Sequence, residues 1–225
     1  MSFMLNNDVQ ETTCTELFKA AYENRYTWES NFPGYEGSCS WTDGTREVKG
    51  RFCLGIDLKA TVKGIDDEKI NKAISSQLWE VAIHRVKRSF EQTHGENTFT
   101  YGETSEIGSE IIVGGKNKGD KYRVKNDIVT MVYRHIHGNL IIIHTKDVTH
   151  TNNGYLSKSY TSQYLDPISK KDLKGKNFYK DDFKPLFKGG PWVLASRSIH
   201  QESLEGSILN KQIFSFSELK ILDAN

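Results

Sequence analysis

Cysteine, proline and net charge are all scarce in this sequence. Its 225 residues include three cysteines (Cys14, Cys39 and Cys53) and four prolines, and 30 basic residues nearly cancel 29 acidic ones. Three cysteines without paired spacing predict neither a zinc ligand set nor a disulfide framework, so we expect small buried thiols in a reducing compartment. The formal net charge of +1 excludes the highly charged class of disordered chains and predicts no nucleic-acid partner.

Long apolar runs are absent as well. No stretch approaches the roughly 18 apolar residues that a membrane-spanning helix needs. The first residues, MSFMLNNDVQETT, lack the basic and apolar regions of a secretory signal. We therefore expect a cytoplasmic protein. Aromatic residues nevertheless reach 11%, which predicts a core built from a few large side chains.

Local catalytic motifs are also missing. The segment GGKNKGDK, from Gly114 to Lys121, partly matches a phosphate-binding loop. Asp120 occupies the position where that loop needs lysine, and the segment lies between two predicted strands, so we interpret it as a hairpin loop. No nucleophile elbow, HExxH motif or dinucleotide fingerprint is present. The sequence therefore favours a non-catalytic protein.

Two helices are predicted in the first half of the chain. Thr13 and Glu16 have the spacing of a capping box, which predicts a helix start. A longer helix is predicted from Asp66 to Gln92, with Gly95 at its end. Its apolar stripe consists of Ile70, Ile74, Leu78 and Val81.

The second half of the chain shows the pattern of an antiparallel meander. Four turn signals recur at regular intervals, at Lys116–Gly119, Asn126-Asp127, Gly138-Asn139 and Asn153-Gly154. A segment rich in Lys, Asp and Gly, from Ser169 to Gly190, is interpreted as a long loop, and two further strands follow it. These patterns predict an α+β fold, in a single domain over residues 1–225 with its core at about 14–222.

Three histidines lie close together in the stretch YRHIHGNLIIIH, which begins at Tyr133. A type II′ turn at Gly138-Asn139 would place them on one face of the sheet, among aromatic and apolar side chains. With Trp79 from the second helix, this face is our candidate ligand-binding site: Tyr122, Met131, Tyr133, His135, His137, Leu140, Ile142 and His144. No nearby cysteine or carboxylate completes a metal ligand set, so we expect no metal there. The imidazoles are either polar anchors in an apolar cavity, titrating near neutral pH, or half-buried rings with hydrogen-bonding partners.

The predicted strands are apolar on their other face too. Val132, Ile136, Ile141 and Ile143 would join Tyr160 and Tyr164 there. A sheet that is apolar on both faces must be covered on both or present a surface to a partner.

Several long stretches resemble an uncharacterised family of cyanobacterial proteins with relatives in plant plastids. The stretches include ELFKAAYENRYTWESNFPGY, TMVYRHIHG, GYLSKSYTSQY and FSFSELKIL, and the resemblance extends from Leu17 to Leu222. It implies an oxygenic photosynthetic setting and carries over no catalytic residue. It also implies a fold similar to the lipoprotein-carrier (LolA-like) half-barrel, in which a curved antiparallel sheet holds helices on its concave face and can bind an apolar ligand.

Together these observations predict a curved antiparallel sheet of about eight to eleven strands with helices packed on its concave face. The function we expect is non-catalytic binding or carriage of a hydrophobic small molecule, such as a lipid, carotenoid or tetrapyrrole. One alternative is an assembly factor or chaperone that binds a photosynthetic protein through an apolar sheet face, with a membrane surface as another possible partner. The other alternative is a lyase-like enzyme that modifies a pigment.

Overall fold

The structure, a computed structural model, describes residues 12–223. The amino-terminal segment on which the expectation of no signal sequence rests lies mostly outside these residues. Within them, no helix is long and apolar enough to cross a membrane. In chain order the elements are α1 (Cys14–Glu23), β1 (Gly34–Thr42), β2 (Glu47–Gly55), β3 (Ala60–Lys63), α2 (Glu68–Ile83), α3 (Phe90–His94), β4 (Asn97–Ser105), β5 (Gly108–Gly115), β6 (Lys121–Lys125), β7 (Ile128–Ile136), β8 (Asn139–Thr151), β9 (Gly154–Leu165), β10 (Asp172–Pro185), β11 (Trp192–Glu202) and β12 (Ile208–Ile221).

All twelve of these strands belong to one open, curved sheet, in the order β3-β2-β1-β12-β11-β10-β9-β8-β7-β6-β5-β4. Neighbouring strands from β4 to β12 are also consecutive in the chain, which makes this part an antiparallel meander. The pairing of β1 with β12 adds the first three strands to its other edge. The α+β class and the meander are confirmed, but the sheet has more strands than the eight to eleven that we expected.

The additional strand is β10, in the segment that was interpreted as a long loop. That interpretation is wrong, because residues 172–185 pair with both β9 and β11. Asp181 and Phe183 are buried, whereas their neighbours Lys180, Asp182 and Lys184 are exposed. Buried and exposed residues therefore alternate along this part of β10. Because one of the buried residues is the charged Asp181, the sequence does not show the alternation of apolar and polar residues that predicts a strand.

The first helix starts as the sequence predicts. The Thr13 hydroxyl accepts a hydrogen bond from the backbone N–H of Glu16, whose carboxylate accepts one from the backbone N–H of Thr13. The buried side of α1 packs on strands β4 to β7 and on α3. This cluster contains Cys14, Phe18, Ala21, Tyr22, Phe90, Ile111, Val113, Tyr122, Val124 and Val129.

The predicted helix from Asp66 to Gln92 is in fact two helices. α2 begins after Asp67, whose carboxylate accepts from the N–H groups of Lys69 and Ile70, and it ends at Ile83. A second capping box, formed by Ser89 and Gln92, then starts α3. The predicted stripe of α2 is buried, and its cluster includes Ile70, Ile74, Leu78, Val81, Tyr35, Phe52, Leu54, Phe214 and Phe216.

Both helix clusters lie on the same face of the sheet, because paired residues of antiparallel strands point to one side. From the α2 cluster, Phe214 pairs with Arg197, and Arg197 pairs with Asp181. From the α1 side, Val132 pairs with Ile143, and Ile143 pairs with Ser162. A third row links these two, because Tyr179 pairs with Tyr160 and Tyr160 pairs with Thr145. Tyr179 is two residues from Asp181, and Thr145 is two residues from Ile143, so their side chains point to the same side. We call this the helix-bearing face and the other one the opposite face.

Candidate functional site

Six of the predicted site residues share one face of the sheet. Met131 pairs with His144, Tyr133 with Ile142, and His135 with Leu140, so all six side chains lie on the opposite face. The predicted turn is wrong by one residue. The turn residues are His137 and Gly138, with φ of 49° and 77°, as in a type I′ turn. His137 is consequently an exposed turn residue and not part of the strand face.

Tyr122 and Trp79 do not join these six residues. A bulge between Arg123 and Val124 pairs Tyr122 with Val132, which places Tyr122 on the helix-bearing face. Its ring centroid lies 4.5 Å from that of Phe18 in the α1 cluster. Trp79 is 51% exposed on α2. The structure therefore separates the nine predicted residues into four places: six on the opposite face, His137 in the turn, Tyr122 on the helix-bearing face and Trp79 on the surface of α2.

The imidazole of His135 is held by a buried carboxylate. One oxygen of Asp120 accepts from the backbone N–H of His135 at 2.9 Å and from its Nδ1, which therefore carries the proton, at 3.1 Å. Asp120 is 3% exposed and also accepts from Arg134 Nε at 3.4 Å. This geometry matches the interpretation of a hydrogen-bonded imidazole. Within residues 12–223 no three His, Cys, Asp or Glu side chains are grouped so that they could hold a metal ion.

His144 is adapted to a neutral state. Burial, and then the charges of Lys146, Lys176 and Arg123, hold the pKa of its imidazole below the usual value. These effects favour the neutral imidazole over the imidazolium, so His144 is less suited to bind an anionic head group through charge.

A cavity of about 590 Å³ lies at the end of the sheet that carries the β8–β9 and β10–β11 turns. We call it the aromatic cavity. Its lining consists of Tyr26, Thr27, Glu29, Asn31, Phe32, Pro33, Thr151, Asn152, Asn153, Phe187, Gly189, Gly190, Pro191, Trp192, Ile221 and Leu222. None of the nine predicted site residues belongs to this lining.

Hydrogen bonds fix two walls of the aromatic cavity to each other. The backbone N–H of Trp192 donates to the Tyr26 hydroxyl, and the indole N–H of Trp28 donates to the Trp192 carbonyl, both at 2.9 Å. The ring of Phe32 packs on that of Trp28, with centroids 4.6 Å apart. Phe187 is 54% exposed, so its ring lies where the cavity opens to solvent. The cavity is thus a preformed space in which Phe187 is the most exposed of the lining aromatic side chains.

The aromatic cavity is lined by polar as well as apolar side chains, and among the polar ones only Glu29 is a charged residue. The amides of Asn31, Asn152 and Asn153 and the hydroxyl of Thr27 accompany the rings, whereas the Thr151 hydroxyl bonds within its own turn to the Gly154 carbonyl and the Asn153 N–H. Such a lining can enclose an apolar body and form hydrogen bonds with one polar end of it.

A buried ion pair lies on the helix-bearing face. Arg197 Nε and Nη2 donate to the two carboxylate oxygens of Asp181, at 2.8 and 2.7 Å. The remaining donors reach Gln77 and Glu80 on α2, at 2.9 and 3.2 Å, and the Tyr160 hydroxyl at 2.7 Å. Burial raises the pKa of the Asp181 carboxyl, against the opposing effect of Arg197 beside it. Since every N–H of the guanidinium is engaged, this arginine joins α2 to the sheet and has no donor left for a ligand.

The comparisons with known proteins establish the family. The model of a protein family of unknown function (DUF3386) matches residues 9–222. The chain belongs to this family. No curated protein matches it.

Two solved structures are similar to this DUF3386 chain over nearly its whole length. A LolA superfamily protein, NE2245 from Nitrosomonas europaea, is 8% identical with a TM-score of 0.33, and the match covers 96% of each chain. A DUF1329 family protein from Desulfovibrio piger ATCC 29098 is 9% identical with a TM-score of 0.28, over 93% of this chain and 94% of that one. At such low scores neither structure informs the function of this one.

The residues of the aromatic cavity were not found from the sequence. Phe32 belongs to NFPGY, which follows the first predicted helix, and Phe187 and Trp192 belong to FKGGPW, which joins the supposed long loop to the strand predicted after it. Both segments combine Gly, Pro and aromatic residues. Large rings next to turn residues were the available signal, because an exposed turn needs no such rings for its own stability.

Proposed function

We propose that the protein binds a hydrophobic small molecule without changing it chemically, and that the aromatic cavity is the binding site. The observation that carries this proposal is the cavity itself, because its volume of about 590 Å³ falls in the usual range for small-molecule sites. Its lining also combines aromatic rings, which can pack on an apolar body, with amides that can form hydrogen bonds to a polar end.

The finer features of the proposal follow from the sequence. In this proposal the curved sheet is a half-barrel whose concave side carries the helices, and the protein acts as a carrier of the bound molecule. The ligand is a lipid, carotenoid or tetrapyrrole, and the setting is the cytoplasm of a photosynthetic cell. The family resemblance supports the setting, and the aromatic lining supports a ligand with an extended apolar or conjugated body.

Titration with diphenylhexatriene, a neutral apolar fluorescent probe, tests the proposed site. The Phe187→Ala variant removes a ring that lines the cavity and is 54% exposed, so we expect folding to be unaffected and the probe to bind about tenfold more weakly. Trp79→Ala is the matched control, since Trp79 is 51% exposed and lies outside the cavity. Equal affinity in all three proteins would refute the aromatic cavity as the site.

A second candidate function is that of an assembly factor for a photosynthetic protein. It is favoured by four partly exposed residues of the helix-bearing face, Ile136, Ile141, Ile143 and Tyr164. Partly exposed apolar side chains in one row can receive a partner chain. Co-purification of a stoichiometric protein partner, lost in an Ile141→Ser variant, would favour this function over that of a carrier.

A further inference from the structure

Five large aliphatic side chains protrude from two turns at one end of the sheet. They are Ile168 (91% exposed) and Leu173 (46%) at the β9–β10 turn, and Leu204 (63%), Ile208 (68%) and Leu209 (58%) at the β11–β12 turn. We call them the aliphatic tips. Consecutive turns of an antiparallel meander alternate between its two ends. The aliphatic tips therefore lie at the end opposite the aromatic cavity.

The two turns are neighbours and are held in shape. Gln201 Nε2 donates to the Lys174 carbonyl at 3.0 Å, which connects one turn to the other. In the first turn the Asp166 carboxylate accepts from the backbone N–H of Ile168 at 3.0 Å. In the second the Ser203 hydroxyl accepts from the N–H groups of Glu205 and Ser207, both at 3.2 Å. These hydrogen bonds fix the backbone of both turns in a conformation that leaves the aliphatic tips exposed to water.

The charges around the aliphatic tips favour an anionic partner. Lys170, Lys171 and Lys174 are exposed in the first turn. The same turn has two carboxylates, which bond to backbone N–H groups: Asp166 accepts from Ile168, and Asp172 accepts from Lys174 and Gly175. The first turn, with three lysines and two carboxylates, therefore has a net charge of +1, and its lysines are adjacent to the exposed Ile168 and Leu173. In the second turn Glu202, Glu205 and Lys211 sum to −1, so the positive charge is confined to the first turn.

We infer that the aliphatic tips insert into the interfacial layer of an anionic lipid bilayer, with the lysines of the first turn binding the lipid phosphates. Exposed aliphatic side chains beside lysines are the combination that binds such surfaces. A fluid bilayer surface also adapts to separate protrusions, whereas a folded partner would need matching depressions. This docking does not depend on the aromatic cavity, which stays open at the other end while the protein is bound.

Flotation with lipid vesicles tests the inference. The wild-type protein should float with vesicles of phosphatidylcholine and phosphatidylglycerol (about 7:3), but not with phosphatidylcholine alone, and added salt should weaken the binding. Ile168→Ser with Leu204→Ser should weaken it about tenfold. The matched control is Ile56→Ser with Ile107→Ser, which replaces exposed residues in turns at the cavity end and should bind like wild type.

The lysines are tested separately. Lys171→Gln with Lys174→Gln should weaken binding to the anionic vesicles about tenfold, since each interfacial lysine contributes about fivefold at most. Lys59→Gln with Lys188→Gln, exposed at the cavity end, should not. Thermal unfolding and diphenylhexatriene binding, measured on the same proteins, show that the fold and the cavity are intact. Absence of flotation by the wild type, or equal losses in the control variants, would overturn the inference without affecting the proposed ligand site.

Discussion

Arg197 on β11 and Asp181 on β10 form a bidentate ion pair that the fold encloses almost completely, with exposures of 2% and 1%. Because the same guanidinium also bonds to Gln77 and to the Tyr160 hydroxyl, one side chain connects three strands with α2. A buried charge of this kind stabilises the fold only together with its partner.

Loss of the arginine alone should therefore be costly. We expect Arg197→Met to reduce the free energy of unfolding by about 3–5 kcal/mol, because it leaves the Asp181 charge buried and unpaired. The double variant Arg197→Met with Asp181→Leu should recover most of that loss. Urea unfolding measures both, and a double variant as unstable as the single one would contradict this role of the pair.

His94 should make the fold sensitive to acid. It is 6% exposed, and Asn97 Nδ2 lies 3.2 Å from its Nδ1, which we assign as the unprotonated acceptor. Burial, and then the charges of Arg134 and Arg25, lower the pKa of His94 to about 4. Because the unfolded chain has a pKa of about 6.5, the stabilisation is fully present above that pH and is lost as the pH falls toward 4.

Between pH 7 and pH 5 this loss should be about 2 kcal/mol of unfolding free energy. Unfolding by urea at both pH values measures it. His94→Gln retains an acceptor for Asn97 but cannot titrate, so its stability should change less over the same range. An identical pH dependence in the variant and the wild type would show that His94 is not the responsible group.

Gly154 should be essential for the wall of the aromatic cavity. Its φ is +110°, and a Cβ at this position would lie 2.2 Å from the Asn24 carbonyl oxygen. The adjacent Tyr155 donates its N–H to that oxygen and accepts from the N–H of Tyr26, a cavity residue. Gly154→Ala should therefore lower both unfolding free energy and diphenylhexatriene affinity.

Gly206→Ala is the control for the backbone conformation alone. Gly206 has a φ of +84°, but nothing lies within 4 Å of its added Cβ. We expect a loss of about 1 kcal/mol at Gly206 and a loss at least twice as large at Gly154. Similar losses at both sites, with unchanged probe affinity, would argue against a tight packing of the wall.

A histidine variant decides between the two possible ligand sites. His135→Phe should leave diphenylhexatriene affinity unchanged at both pH 6 and pH 8, because His135 does not line the aromatic cavity. The sequence-based hypothesis of a histidine site expects a loss of ligand retention that is much larger at pH 6. Such a loss in the folded variant would move the site to the opposite face.

Local signals in the sequence predicted much of the fold because they act over a few residues. The capping box of Thr13 and Glu16 and the turn at Asn126-Asp127 are present as predicted. The face shared by His135 and His144 also came out correctly, although the turn is at His137-Gly138. Moving the turn by one residue changes the partner of each residue by two positions, so that His135 pairs with Leu140 and not with Ile142. Residues two positions apart in a strand point to the same side, so the predicted face is unchanged.

The remaining errors depend on interactions that the local sequence does not contain. The bulge beside Arg123, which moves Tyr122 to the helix-bearing face, has no distinct residue pattern. β10 was missed because its buried Asp181 is compatible with a strand only when Arg197 lies on the next one. The aromatic cavity assembles segments that are more than 150 residues apart in the chain, such as Tyr26 and Trp192, and no periodicity could bring them together.

Native mass spectrometry of the protein purified from its own host tests the central claim most directly. We expect the wild-type protein to carry a non-covalent small molecule that extraction identifies as hydrophobic. Its occupancy should be much lower on the Phe187→Ala variant and unchanged on Trp79→Ala. A wild-type protein of bare polypeptide mass, or a ligand retained equally by Phe187→Ala, would contradict it.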